Sequence, residues 1–467
     1  MSSLKHLWWI ALVVVIFSCR KDTFITSPQA IVTTSSDSLY FDTVFVSRGS
    51  ITQSFKIFNG NSQKLNLSSI SLAGGASSAF KININGTPGP EVANITLDPH
   101  DSLYVFVQVN IDPRSGNLPF LVEDSIQIRY NGTGQQVRLS AYGQNAHYLN
   151  GDTLRGNTVW NDSLPYVILG GIQVDTGATL TLQPGTRVYL HANAPFLVAG
   201  TLIASGTRAD SIVFNGDRLD PVYSGLPASW PGIYFGQTSQ NNYLKHVLIE
   251  NAYQGLIADG PAANGAAKLT LTQCILSNIY DAGVLGLNSS IHADNCLIYN
   301  CGSNINLALG GTYRFLFCTV ASYSNYLMSH TTPVLQVSDA ALNGNTLLTA
   351  PLNAFFQNCI FWGDDGSVPD EISVSRQGTA SYSLVFDHVL YRQTNALANA
   401  VFNSCLLNED PRFDSIGVAA NYYDFHFNHH PGSPALNSGA ATNLPVDLDD
   451  QPRSNGVPDL GCYEKWP

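Results

Sequence analysis

Thr272-Gln273-Cys274-Ile275-Leu276-Ser277-Asn278, Asp294-Asn295-Cys296-Leu297-Ile298-Tyr299-Asn300 and Leu316-Phe317-Cys318-Thr319-Val320-Ala321-Ser322 are three versions of one phrase, each cysteine 22 residues after the last. An earlier copy, Lys245 to Asn251, has Val247 in the cysteine's place, and Gln357-Asn358-Cys359 and Asn403-Ser404-Cys405 continue the series with longer insertions. A fixed period of this length, built from short apolar runs with no helical segment between them, predicts a solenoid of strands. Val and Cys interchange because both serve as small buried hydrophobes. Strands of successive coils stack about 4.8 Å apart, whereas disulfide β-carbons lie about 3.8 Å apart. Reduced, buried thiols are therefore expected. Four residues after each ladder position stand Asn251, Asn278, Asn300 and Ser322, an asparagine column suited to a repeated left-handed turn, with amides able to bond along the stack.

The same texture extends toward the N-terminus. Ile172-Gln173-Val174, Thr179 to Leu182, Arg187 to Leu190, Phe196-Leu197-Val198 and Ile212-Val213-Phe214 are strand-like runs punctuated by glycine and proline. They extend the solenoid over 165–467, with 146–164 as linker and N-terminal cap. Before it, 30–145 alternates differently: Leu39 to Val46, Phe55 to Phe58, Leu65 to Leu72, Phe80 to Ile84, Leu103 to Val109, Ile126 to Tyr130 and Val137 to Tyr142 are seven short runs separated by turn residues. That spacing predicts a two-sheet β-sandwich, and the segment resembles immunoglobulin-like modules. The fold class is all-β throughout.

Residues 1–19 read as an export signal: Lys5 precedes an apolar run from Leu7 to Phe17, too short for an ordinary membrane span. Ile16-Phe17-Ser18-Cys19 resembles a lipobox, which implies lipidation at Cys19, a tether over 20–29 and a place in the cell envelope as a surface-exposed outer-membrane lipoprotein. The membrane is then touched only through the anchor. Arg20-Lys21-Asp22 resembles the surface-export signal of Bacteroidetes-type lipoproteins and reads equally as a charged tether.

Composition narrows the partners. Charged residues are 12% of the 467 and the net charge is −12, so there is no basic stripe to displace counterions from phosphate. Nucleic acid is excluded on that ground. A glycan or other cell-surface macromolecule fits the aromatic, Asn-rich loops better. Asp followed by Ser or Thr and an aliphatic residue recurs, as at Asp37, Asp101 and Asp414. It resembles the O-glycosylation motif of Bacteroidetes-type exported proteins, and reads equally as a turn residue opening a strand.

Three stretches carry a family resemblance. Gly177-Ala178-Thr179-Leu180-Thr181-Leu182-Gln183-Pro184-Gly185-Thr186, Trp230-Pro231-Gly232-Ile233, and the closing Pro431 to Leu436 with Asp447 to Glu464 resemble the pectin-lyase-like right-handed β-helix family, as found in uncharacterised Bacteroidetes-type lipoproteins. The resemblance implies a right-handed parallel β-helix over 165–467 and leaves the activity open, because this architecture hosts lyases, hydrolases, epimerases and adhesins.

Two readings of function follow. Non-catalytic binding through the β-helix face rests on the export signals and on aromatic residues that could stack on sugar rings, chiefly Trp230, Tyr223 and Trp362, with Tyr234 and Tyr253 beside them. Polysaccharide cleavage, by a lyase or a glycoside hydrolase, needs a base or a carboxylate pair. Asp364-Asp365 resembles the aspartate pair of polygalacturonases and is grouped with Arg376, although that family's Gly-His-Gly and Arg-x-Lys motifs are missing, while Arg314 and Arg392 stay open beside Arg376 as the base of a lyase. No cofactor is implied and no metal ligand set is assigned, calcium on carboxylates being the one metal left open. Asp447, Asp449, Asp450 and Asp459 are read as part of a cap over the open end of the solenoid.

Overall fold

The computed structural model describes residues 23–45, 50–112, 120–220, 222–364, 368–453 and 456–465. They form two compact units divided between Asn145 and Ala146. The chain is all-β, and its helical turns among the described residues are the three-residue 3-10 turns Gly75–Ser77 and Val418–Ala420.

The first unit is two five-stranded sheets packed on one core. Ser102–Val109 shows why: its burial alternates residue by residue, with Leu103, Val105, Val107 and Val109 inward. All seven runs read from the sequence lie on strands here, with Val46 of the first outside the described residues, and the polar edge strand Glu91–Leu97 joins them. Among the described residues the strands pair antiparallel except where Thr133–Gln144 runs parallel to Ser38–Phe45, and an isolated parallel bridge joins Phe24 to Lys64. Asp37 and Asp101 immediately precede the strands Ser38–Phe45 and Ser102–Val109, as turn residues opening a strand do.

The second unit is a parallel β-helix. One parallel sheet of 11 strands and one set of 17 strands wrap a continuous core. A typical coil contributes three strands, for example Ile172–Val174, Thr179–Leu182 and Arg187–Leu190. In Ala282–Asp294 and Ser303–Leu316 two of these strands run on around a corner, bending where Asn288 and Leu309-Gly310 take positive φ. Residues 147–160 are already solenoid: His147–Leu149, Asp152–Leu154 and Asn157–Trp160 pair in parallel with the coil that follows.

The cysteine column stands inside this tube. Register places Thr186, Ile212, Val247, Cys274, Cys296, Cys318, Cys359, Val389 and Cys405 one above another. Val389 fills the coil between Cys359 and Cys405, which the sequence spacing passes over. All seven cysteines described are unbridged thiols. Burial pushes Cys274, Cys296 and Cys318 well above the ordinary thiol range, so they remain neutral core groups. The asparagine column also forms: Asn251, Asn278 and Asn300 take φ of 63°, 55° and 50°. Asn278 Nδ2 donates to Asn251 Oδ1 at 2.6 Å, and Asn251 Nδ2 to Asn215 Oδ1 at 2.9 Å.

A second left-handed column was not visible in the sequence. The residue before each ladder position, His246, Gln273, Asn295, Phe317, Asn358, His388 and Ser404, has φ between 45° and 57°. Their chemistry differs, but the sharp corner aims the side chains outward, where the closing segment lies. That segment runs along the flank of the tube and not over its open end. Gln273 Nε2 donates to Asp447 O at 2.7 Å, Asn295 Nδ2 to Val446 O at 2.9 Å, and Asn358 Nδ2 to Ala440 O at 2.8 Å. Outward residues Leu297, Ala321, Ile360 and Leu390 are covered by Phe425, Leu448, Leu460 and Tyr463 in a second core. An apolar outer face, which a solvated coil would not carry, explains why the segment docks there.

Candidate functional site

The flanking segment makes a cleft where it meets the last full coils. Tyr323, Trp362, Asp364 and Arg392 supply the solenoid wall, and Asp410 and Arg412 stand opposite on the chain leaving the last coil, with a cavity of about 670 Å³ between them. In the strand Ile360–Gly363 the neighbours Ile360, Phe361 and Gly363 are buried and Trp362 is the half-buried member, packed in part against the second core. Tyr323 follows the strand Thr319–Ser322, and its ring meets Tyr423 and Phe425 of the closing segment, with centroids 6.3 and 6.4 Å apart.

Asp364 is held tightly. Its Oδ2 accepts the Ser324 N–H at 2.7 Å, its own N–H donates to Ser322 O at 3.1 Å, and Arg392 Nη1 donates to its carbonyl and to Gly363 O. Behind Gly363 lies a buried pair, His330 Nε2 to Glu371 Oε1 at 3.0 Å and Oε2 at 3.1 Å. A β-carbon at position 363 would come within 2.0 Å of Glu371 Oε1, so glycine is required there. Burial drives the Tyr323 phenol far above its usual range, and the charges of Asp410, Glu371 and Asp364 add to the effect against Arg392. The cleft thus combines two aromatic rings with acidic groups and two arginines.

The residues singled out by sequence scatter. Trp362 and Asp364 share the cleft. Arg392, not Arg376, is the arginine brought to Asp364; the Arg376 guanidinium lies over the Tyr382 ring, 5.0 Å from its centroid. Trp230 is inside the tube at 0% exposure, its indole N–H donating to Glu250 O at 2.8 Å, which leaves no ring face for a ligand. Tyr223 is 40% exposed on a corner loop, with Arg218 4.0 Å over its ring. Cys19 and Asp365 lie outside the described residues. Asp414, which also lines the cleft, is bound to structure: it accepts the N–H groups of Asn428 and His429, and its side chain is 2% exposed. Tyr323, Asp410 and Arg412 carried no local signal, because only the returning chain makes them neighbours. Among the described residues, no group of three or more His, Cys, Asp or Glu side chains is placed to hold a metal ion.

No family model matches the chain. It is similar to Protein bark beetle of Drosophila melanogaster, 33% identical over 101 residues, which are 20% of this chain and 3% of that protein. The chain therefore spans a small fraction of that curated relative. Among solved structures, a family 123 glycoside hydrolase from Clostridium perfringens gives a TM-score of 0.19 at 9% identity over 25% of this chain and 26% of that one. The ASH/PapD-like domain 7 of human CEP192 gives 0.18 at 11% identity, over 27% of this chain and 94% of that one. Scores this low carry no argument about either unit.

Proposed function

We propose that this chain is a lipid-anchored protein of the bacterial cell surface, of the Bacteroidetes type, which binds glycan non-catalytically through its β-helical unit. The observation that carries the binding reading is the cleft, where Trp362 and Tyr323 stand beside Arg392, Arg412 and Asp410. Aromatic rings supply flat apolar area and the charged groups supply directional hydrogen bonds, the division of labour found in small-ligand sites. Asp364 supports a binding role over an acid–base one, since its carboxylate is engaged by the Ser324 N–H.

Glycan cleavage is the second reading, favoured by the presence of Asp364 and Asp410 in one cleft. A panel of neutral and uronate-containing oligosaccharides separates the two. Binding without product that is lost in Trp362→Ala supports the first reading. New reducing or unsaturated ends that disappear in Asp364→Asn or Asp410→Asn replace it with the second. Metabolic labelling with a fatty acid, lost in Cys19→Ala, together with protease accessibility on intact cells, tests the anchor and the surface location.

A further inference from the structure

We infer that a second saccharide subsite, for a neutral pyranose, lies on the corner of the solenoid that carries Tyr253 and Tyr280; the inference rests on the glycan-binding reading above. Backbone hydrogen bonds from Tyr280 N to Ala252 O and from Gly302 N to Ile279 O make Tyr253, Tyr280 and Gly302 successive members of one outward column. The two rings stack with centroids 5.5 Å apart and planes 24° apart, yet they are 48% and 55% exposed. Such a pair is a rigid aromatic ledge, because each ring restrains the other before any ligand arrives. Little ordering entropy then opposes binding.

The column stops at Gly302. A β-carbon there would lie 2.2 Å from Tyr280 O and 2.7 Å from Asp281 O, so the close backbone approach demands glycine. The consequence is that no side chain continues the stack over Tyr280. One face of that ring is left for the apolar face of a sugar. Hydrogen-bonding groups sit beside it: Gln254 Nε2 donates to Asp281 Oδ2 at 2.7 Å on the same two coils, and both have further capacity for hydroxyls.

The neighbouring loop belongs to the same corner. Asn251 and Asn278 donate to the carbonyls of Ser224 and Gly225, which ties the loop after Tyr223 to the two coils that carry the ledge. Charge selects the ligand. Asp281 faces the site, Arg218 is paired with Asp220 at 3.1 Å, and the protein carries −12 overall. An acidic sugar would be repelled and a neutral one would not.

The test uses the full-length protein in detergent and hexaoses of glucose, mannose and xylose, with a uronate hexaose as control, measured by calorimetry. Tyr253→Ala/Tyr280→Ala is expected to lower affinity for the binding neutral hexaose by about tenfold or more. Tyr280→Phe, which keeps the ring, is expected to retain binding. Double-variant affinity equal to wild type, with binding lost in Trp362→Ala, overturns the ledge and leaves the cleft standing. Wild-type protein that binds none of the panel overturns both. Self-association abolished by the double variant would assign the ledge to a second copy and overturn the sugar assignment; circular dichroism and an unchanged melting temperature exclude misfolding as the cause of any loss.

Discussion

The guanidinium of Arg453 lies 3.9 Å over the ring of Phe317, joining the closing segment to a left-handed corner of the solenoid. Phe317 occupies φ 49°, a conformation aromatic side chains seldom adopt and one that costs about 1–3 kcal/mol. The contact it makes is the compensation. Arg453 also donates to Asn295 Oδ1 at 3.0 and 3.2 Å, to Gly461 O at 2.9 Å and to Glu464 Oε2 at 2.9 Å. Replacing it by Met strands a buried carboxylate, and removing one partner of such a pair costs about 3–5 kcal/mol. Arg453→Met is therefore expected to release the closing segment to protease at concentrations that leave the wild type intact. Equal digestion of both proteins would refute the bolt.

Rising pH is expected to loosen the same segment. His426 Nδ1 faces Asp424 Oδ1 at 2.6 Å and its Nε2 faces Asp449 Oδ2 at 3.2 Å. Asp449 also pairs with Arg208 at 2.9 Å, and the imidazole stacks on Tyr463 at 3.8 Å. Burial opposes protonation of His426, but the two carboxylates outweigh it and raise its pKa from 6.5. That stabilisation is complete below pH 6.5 and disappears as pH climbs through the raised value. Burial, with Asp459 adding and Arg453 opposing, pushes Glu464 up to about 7, so its ionisation penalty grows from its unfolded value of 4.5 to about 7. Both groups have the same sign. Denaturation midpoints should fall between pH 5 and 8, with a smaller slope in His426→Gln and in Glu464→Gln.

Thiol reactivity tests the column. Cys274, Cys296, Cys318 and Cys359 are 0% exposed, and Cys405, in the last coil, is the partly exposed member. A disulfide reagent added to native protein should label Cys405 first among the seven and reach the others only on unfolding. Cys318→Val should change stability by less than about 1.5 kcal/mol, as near-isosteric core exchanges do, whereas Cys318→Asp should not fold. Rapid native labelling of Cys296 would contradict the tube.

Lys268 is a core lysine without a carboxylate on its ammonium. Its Nζ donates to Gly236 O at 2.8 Å, Gln237 O at 3.2 Å and Asp259 O at 2.5 Å. Burial lowers its pKa, with the Asp259 charge acting against that. Lys268→Met keeps the length and leaves three part-buried carbonyls without this donor, a loss on the order of 1–3 kcal/mol. Urea denaturation measures it; an unchanged midpoint would show that water replaces the ammonium.

What the sequence disclosed follows from distance along the chain. Cys274, Cys296 and Cys318 are separated by one unembellished coil each, so the period is visible by eye, and seven of the ten sandwich strands alternate well enough to be read from the sequence. Val389 was passed over because no cysteine marks its coil. The corner residues His246, Gln273, Asn295, Phe317 and Asn358 share a backbone conformation and no side-chain chemistry, so composition could not group them. Their partners are far away in sequence: Gln273 meets Asp447 and Asn295 meets Arg453. The closing aspartates therefore read as an end cap when they are a flank clasp. The cleft suffered the same way, since Trp362 and Asp364 were legible while Tyr323, Asp410 and Arg412 wait on the returning chain. Trp230 looked like a ligand platform because sequence does not say which way an indole points.

Along the inward column the residue count from one rung to the next runs 22, 22, 41, 30 and 16, from Cys274 through Cys296, Cys318, Cys359 and Val389 to Cys405. The rungs stay in register regardless. Surplus chain leaves sideways, as the hairpin Ala340–Asn343 with Thr346–Thr349 does. Such a scaffold uncouples contour length from axial rise, so a corner can be rewritten wholesale while its neighbours keep their coordinates, and recognition surfaces can diversify one floor at a time.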